Sequence, residues 1–241
     1  MSKGKLRVER DGPVGRLVLD NPERRNAIGA DMWRAIAPAM AGFNADASIR
    51  CIVIRGEGTQ AFAAGADISE FEKNRSSEGD VKDYEAATSA AHHAIESSPK
   101  PVIALIHGFC VGGGLAVALS CDLRYADASS RFAIPAARLG LGYGVHGMGR
   151  LVATVGHAAA REIMFSARRY DAGEALAMGL VNRVLPDAEL DAYVRKVALE
   201  LAANAPMTIA ASKAVINALA EPRGDFSAAE AAVARCMKSE D

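Results

Sequence analysis

Two short runs of apolar character open the chain, Leu6–Arg10 and Val14–Asp20, with Asp11-Gly12-Pro13 between them. The pattern predicts two strands joined by a tight turn. Asn21-Pro22 ends the second run, and helical spacing of apolar residues follows from about Gly29 to Asn44. Cys51-Ile52-Val53-Ile54 predicts a buried strand that stops at Gly56 and Gly58. A loop of small residues, Ala61 to Asp67, comes next, then a helix over Asp80 to Glu96. Pro101 to Ile106 predicts a second buried strand, running through Gly108 into Gly112-Gly113-Gly114, where a helix begins and reaches about Ser120. Asp122 to Ala126 predicts a further strand. From about Gly144 the pattern is nearly all helical, apart from a short apolar run at Leu180 to Leu185. The sequence shows no repeat, low-complexity segment or linker. Strands alternating with helices, followed by a helical C-terminal region, argue an α/β fold. The Ala-rich faces after about Asp187 call for burial on the core or on a partner subunit.

Composition narrows the class. Half of the 241 residues are hydrophobic, enough for one large domain with a sizeable core. Aromatics are only 5%, so small aliphatic side chains must do most of the packing. A net charge of -1 with scattered Lys and Arg excludes the usual electrostatic footprint of a nucleic-acid binder. Arg168-Arg169, the one basic cluster, reads as a solvated face. Cys51, Cys110, Cys121 and Cys236 share no CxxC spacing and read as reduced and mostly buried, as in a cytosolic protein. The five histidines form no HExxH or similar pair, so no metal site is expected. No apolar run approaches the roughly 18 residues of a membrane span, and no apolar stretch follows the N-terminal Met-Ser-Lys-Gly-Lys. The expectation is a soluble, cytoplasmic protein.

Two segments have the character of a site. Both follow a buried strand and both consist of Gly and Ala, which lets a ligand approach backbone N–H groups closely. A helix starting at Gly113 or Gly114 aims free N–H donors and the positive end of its dipole outward. One such donor, with another from Ala64-Gly65-Ala66, would form a two-amide oxyanion hole, worth roughly 2.7–4 kcal/mol per donor. The alternative is that the small residues simply allow tight helix–strand packing. Gly142 to Gly147 also matches GxGxxG, but no convincing strand precedes it and no ribose-binding acid stands out after it, so it is not read as a dinucleotide site.

Taken together, five segments resemble the crotonase superfamily (the enoyl-CoA hydratase/isomerase family). These are Asn21-Pro22-Glu23-Arg24-Arg25-Asn26-Ala27; Phe62 to Ile68; Lys100 to Ala104 running on to Gly112-Gly113-Gly114 and Cys121-Asp122; Ala177-Met178-Gly179-Leu180-Val181; and Ala205-Pro206 with Ser212-Lys213. They span nearly the whole chain in the family's order. The resemblance implies a spiral of ββα units over residues 1–185 and a helical trimerisation region over 186–241. It implies an acyl-CoA thioester as substrate, a homotrimer or dimer of trimers, and no metal or nucleotide cofactor. By position, the N–H groups of Ala66 and Gly113 would be the oxyanion donors. Arg24, Arg25, Ala27, Ala64, Asp67, Ile68, Gly112, Ala116, Pro135, Ala136 and Leu139 would line the substrate site.

The chain departs from the family's pattern where hydratases carry two glutamates: Ala116 and Ala136 stand there. Hydration across a conjugated double bond needs a base for the water and an acid for the α-carbon, and two methyl groups supply neither. Tyr143 and His146 fall in a segment that usually reads Pro-Gly-x-Gly-Gly, and are candidate acids; each also has a plain reading, as a space-filling residue and a capping or surface group. Asp122 reads as structural. Asp67 reads as a helix cap near Glu70, and the adjacent His92 and His93 as surface residues. The family also usually continues past Ser239-Glu240-Asp241 with a basic segment that helps close the CoA site. Three functions remain open: an enolate-stabilising acyl-CoA enzyme, an acyl-CoA decarboxylase or other lyase using Tyr143 or His146 as proton donor, and a non-catalytic acyl-CoA-binding protein.

Overall fold

The computed structural model describes residues 4–67, 78–220 and 231. Its strands are β1 (Lys5–Asp11), β2 (Val14–Asp20), β3 (Cys51–Gly56), β4 (Ala61–Ala63), β5 (Val102–Ile106), β6 (Phe109–Val111), β7 (Leu123–Asp127), β8 (Arg131–Ala133), β9 (Tyr170–Asp171) and β10 (Arg183–Leu185). Its α-helices are α1 (Ala30–Ala45), α2 (Glu78–Glu96), α3 (Gly113–Ser120), α4 (Ala136–Leu139), α5 (Val145–Ser166), α6 (Ala172–Ala177), α7 (Asp187–Ala203) and α8 (Pro206–Leu219).

Among the described residues, six strands form one sheet in the order β1-β2-β3-β5-β7-β10, parallel except for the β1–β2 hairpin at its edge. Four short strands form a second sheet in the order β4-β6-β8-β9. The chain alternates between the two sheets. Three times it runs a long strand in the first, a three-residue strand in the second, and then a helix: β3-β4-α2, β5-β6-α3 and β7-β8-α4. This is the expected spiral of ββα units, although the sequence carries no visible repeat. Strands β4, β6 and β8 escape sequence reading because three residues are too few to establish a period of two. Ala61 to Ala63, expected as loop, is therefore strand, and β9 interrupts the expected helical run after Gly144, while β10 falls within the apolar run at Leu180 to Leu185.

The continuous apolar strands are explained by burial on both faces. Ile52, Ile54, Val102, Ala104 and Ile106 point to one side, where α1, α2, α3 and α5 contribute residues such as Trp33, Met40, Ile95, Leu115 and Leu151. Cys51, Val53, Ile103 and Leu105 point to the other, covered by Leu190, Val194, Ala198 and Ala202 of α7. Their four-residue spacing makes one stripe along that helix. Helix α8 is tied back by Lys213, whose Nζ lies 2.8 Å from Asp122 Oδ2; the same oxygen accepts the Val102 N–H at 2.7 Å. Asp122 is thus structural, as expected.

A second polar tie joins α7 to the sheet. His107 is buried, with Nδ1 2.7 Å from Asp127 Oδ2 and Nε2 2.7 Å from Asp191 Oδ2 on α7. Burial alone would lower the His107 pKa, but hydrogen bonds to the two carboxylates raise it to about 9. Both carboxylates are held below their usual range: Asp127 against its burial by the hydrogen bond from His107, and Asp191 chiefly by that same group. Because the folded pKa of His107 lies above its unfolded value, its contribution is complete below about pH 6.5 and disappears as pH rises through about 9. Denaturant unfolding of the wild type and His107→Gln should therefore show a stability gap of roughly 3 kcal/mol near neutral pH or below that narrows towards pH 9. A gap that stays constant over this range would mean a neutral histidine.

Candidate active site

The N-terminal signature is a clasp. Asn26, buried and in the left-handed region (φ 57°), donates from Nδ2 to the Glu57 and Ala61 carbonyls at 2.9 and 2.7 Å. Its Oδ1 accepts the Asn21 N–H, and Asn21 Nδ2 donates to the carbonyl of buried Ala27. The clasp sets the segment beside the Ala64 loop, where the Ala64 N–H donates to the Arg25 carbonyl at 2.9 Å.

Ile28 and Ala66 then form a parallel bridge. The Ile28 N–H donates to the Gly65 carbonyl at 2.8 Å, and the Asp67 N–H to the Ile28 carbonyl at 3.1 Å. In such a bridge the middle residue turns its own N–H to the opposite side, so the Ala66 donor faces away from Ile28. The Ala66 nitrogen lies close to Gly113: a methyl added at Gly113 would lie 3.4 Å from it and 3.3 Å from Trp33 Cζ2. Gly113 is the first residue of α3, where N–H groups have no partner within the helix. Gly112 before it takes φ 53°, ψ -118°, a conformation open only to glycine, and its N–H donates to the Ala133 carbonyl at 2.8 Å. Pro135 and Ala136 follow Ala133 by two and three residues.

The structure thus brings Ala66, Gly112 and Gly113 together, with Ala116 one turn further along α3, while Pro135 and Ala136 stand at the start of α4. Along α3, Gly113 and Ala116 stay partly open while the residues between and after them are buried. Spaced three apart, they share one face of the helix. Ala136 is buried, whereas Leu139 is 56% exposed. Tyr143 is half-buried against the core beside Gly147, and burial pushes its phenol pKa up. His146 is the second residue of α5. Ile68 and Glu70 lie outside the described residues, as does Cys236. Cys51, Cys110 and Cys121 are buried free thiols.

The cations take defined positions. Arg24 Nη1 contacts both oxygens of Asp67, at 2.8 and 2.7 Å, so the Asp67 carboxylate is committed to an ion pair with another site residue. The Arg25 guanidinium stacks 4.8 Å from the centre of the Phe109 ring, and Arg169 lies 5.8 Å from the same ring. The pair Arg168-Arg169 is therefore more than a solvated face: Arg168 also bonds Glu162 and Glu174 and covers Tyr170. The GxGxxG match follows helix α4, not a strand, which removes the βαβ context a dinucleotide site needs.

The expectation for His92 fails. His93 is exposed, but His92 is half-buried and faces inward. Its ring centre lies 5.3 Å from that of Trp33, and its Nδ1 is 3.0 Å from Ser120 Oγ. Ser120 Oγ also lies 3.2 Å from Oε1 of buried Glu96, whose Oε2 is 2.6 Å from Arg150 Nη2. The signal was available in the apolar spacing of Ala91 and Ile95, which puts position 92 at the edge of the buried stripe, but its partners come from other segments. Trp33 is buried, and its Nε1 has no acceptor among the described residues, so its ring rather than its N–H serves the packing.

A ββα spiral alternating between two sheets, shared with solved structures of the family, defines the crotonase class of α/β proteins. The sequence model of the enoyl-CoA hydratase/isomerase family matches residues 9–238, and the chain belongs to that family. It is 33% identical over 210 residues to a short-chain-enoyl-CoA hydratase of Clostridium acetobutylicum, covering 87% of this chain and 80% of that protein. It is 34% identical over 218 residues to a carnitinyl-CoA dehydratase of Salmonella enteritidis, covering 90% and 81%. A crystal structure of an enoyl-CoA hydratase/carnithine racemase from Magnetospirillum magneticum superposes with a TM-score of 0.93 at 37% identity, covering 100% of this chain and 90% of that one. An enoyl-CoA hydratase/isomerase family protein from Hyphomonas neptunium gives 0.92 at 38%, covering 98% and 90%.

The packing of the two loops can be tested directly. A methyl at Gly114 would overlap the Ala63 carbonyl oxygen, whereas one at Gly113 only presses on its neighbours. Gly114→Ala should lose about 1–3 kcal/mol in denaturant unfolding and Gly113→Ala clearly less. Equal losses would show that the loops part easily.

Proposed function

We propose that this protein is an acyl-CoA-processing enzyme, a lyase or isomerase, that holds the thioester oxygen between the N–H groups of Ala66 and Gly113 and stabilises the enolate. The observation that carries this reading is the 3.4 Å approach of the Gly113 methyl position to the Ala66 nitrogen, which supports two backbone N–H groups lying near one point. Donors aimed at developing negative charge, and already fixed by the fold, lower the barrier without reorganising. Relatives named as enoyl-CoA and carnitinyl-CoA enzymes support a CoA thioester as substrate. Arg24, Arg25 and Arg169 offer cations for its phosphates, and the reaction needs no further cofactor. The exposed Ile216 and Leu219 on α8 support assembly into a trimer or a dimer of trimers.

Ala116 and Ala136 argue against water addition by two carboxylates. A second reading, decarboxylation, is favoured by Tyr143: a phenol whose pKa is raised by burial keeps its proton at neutral pH and can donate it to an enolate. Loss of CO2 creates that enolate without a base.

Two experiments test these readings. Wild type should hydrate crotonyl-CoA about 10²–10⁴-fold more slowly than a hydratase bearing both glutamates, and Ala116→Glu/Ala136→Glu should gain hydration. Hydration by wild type at an ordinary enzymatic rate would sink this account of the two alanines. Gly113→Ala, whose methyl fills the oxyanion position, should lose at least about 10²-fold in turnover of whichever thioester the wild type accepts. CO2 release from methylmalonyl-CoA that disappears in Tyr143→Phe would select decarboxylation; binding with no turnover of any thioester would leave a binding protein.

A further inference from the structure

Arg124, on β7, is a buried cation without a counterion. The residue is 8% exposed. Its backbone is paired with Asn182 in both directions: the Arg124 N–H donates to Asn182 Oδ1 at 2.8 Å, and the Asn182 N–H to the Arg124 carbonyl at 2.8 Å. Two further carbonyls fix the guanidinium, which donates from Nε to Leu180 at 2.9 Å and from Nη1 to Cys121 at 2.6 Å. Both acceptors are neutral, and among the described residues no carboxylate pairs with Arg124. Asp122 is committed elsewhere, to Lys213 Nζ at 2.8 Å and to the Val102 N–H at 2.7 Å. Burial accordingly pushes the Arg124 pKa down. A charge taken out of water is costly unless it is paired.

The remaining nitrogen, Nη2, has no acceptor among the described residues. It is not sealed in either: Trp33 Nε1 is the one fully enclosed side-chain atom there without a partner. Arg124 instead lines a groove of about 720 Å³ bounded by the last turn of α3, by α5 and by α8. Two other cations line it, and both are paired, Arg150 with Glu96 and Lys213 with Asp122. The charge of Arg124 is therefore the unmatched one among the described residues. Leu119, Leu123, Ile209 and Ile216 give the groove apolar walls. It lies at the end of α3 opposite Gly113, about 10 Å along the helix, and neither Ala66, Gly113 nor Ala116 lines it. Its volume is that of a small-molecule site.

We infer that this groove is a second binding site, for a small organic carboxylate whose charged end meets Arg124 and whose apolar body lies along Leu119, Leu123, Ile209 and Ile216. The carboxylate supplies the counterion that the described residues lack. Nη2 offers it a charge-assisted hydrogen bond. The guanidinium is already fixed by the Leu180 and Cys121 carbonyls, so little order is lost on binding. The apolar walls favour such a ligand over an inorganic anion, and the buried cation favours it over a neutral apolar molecule. The site shares no residue with the oxyanion loops, and it stands whether or not the thioester reading does.

The test is calorimetric titration with octanoate, beside octanamide and inorganic phosphate. Wild type should bind octanoate, and should bind octanamide and phosphate at least about tenfold more weakly. Arg124→Met should lose roughly 10–100-fold in octanoate affinity, and Arg124→Lys should keep part of it. Because Arg124 also anchors two carbonyls, a variant that leaves it intact is read alongside. Ile216 is 66% exposed, so Ile216→Asp should fold like wild type and weaken octanoate several-fold by repulsion at the rim of the groove. Equal affinity for octanoate and octanamide, or octanoate binding that survives both Arg124→Met and Ile216→Asp, would overturn the site. Phosphate bound as tightly as octanoate would overturn the ligand class. Wild type that binds no octanoate would also overturn it; if Arg124→Met then sediments as a smaller species, the charge serves a contact between copies of this chain instead.

Discussion

Everything at the site depends on how closely two backbone loops approach. Ala63 to Ala66 and Gly112 to Gly114 meet with no side chain between them, because at Gly114 a single methyl would collide with a carbonyl oxygen. That contact sets the distance between two N–H donors that belong to different ββα units. The rest of the fold fixes the two loops in place. Parallel strands β3 and β5 set their starting points, the Asn26 clasp holds the first loop, and the Gly112–Ala133 hydrogen bond holds the second.

The approach also decides what chemistry the site can offer. Backbone donors bind an oxyanion whatever side chains surround them, so the charge-stabilising half of the proposed enolate mechanism does not require either glutamate. The carboxylates that would move protons are missing, so proton transfer needs another titratable group in reach of carbon. In this chain the polar cluster of His92, Ser120, Glu96 and Arg150 gathers at the C-terminal end of α3, opposite Gly113.

Much of this architecture was legible in the chain. The apolar runs around Ile52 and Ile103 and the helical spacing of α1 and α2 gave those elements nearly to the residue, since each is long enough to display its period. The family resemblance carried the site to Ala66, Gly113, Ala116 and Ala136; the structure sets Ala66 beside Gly113, with Ala116 one turn further along α3. The second sheet was not legible, because its strands are two or three residues long. The inward turn of His92 was missed because the Ala91–Ile95 spacing puts it only at the edge of a buried stripe, and its partners come from other segments.

Sequence alone determined the class of fold, the two glycine-rich turns, and the absence of carboxylates at positions 116 and 136. These are properties of residue type and spacing, which local propensity and pattern express directly. Tertiary structure decided which N–H groups converge, that Asp67 is bound to Arg24, that His107 joins α7 to the sheet, and that His92 reaches Ser120 and, through it, Glu96. Each of those is a contact between residues far apart in the chain. Its existence depends on the angles and distances at which separately formed elements pack, and no one-dimensional pattern records them.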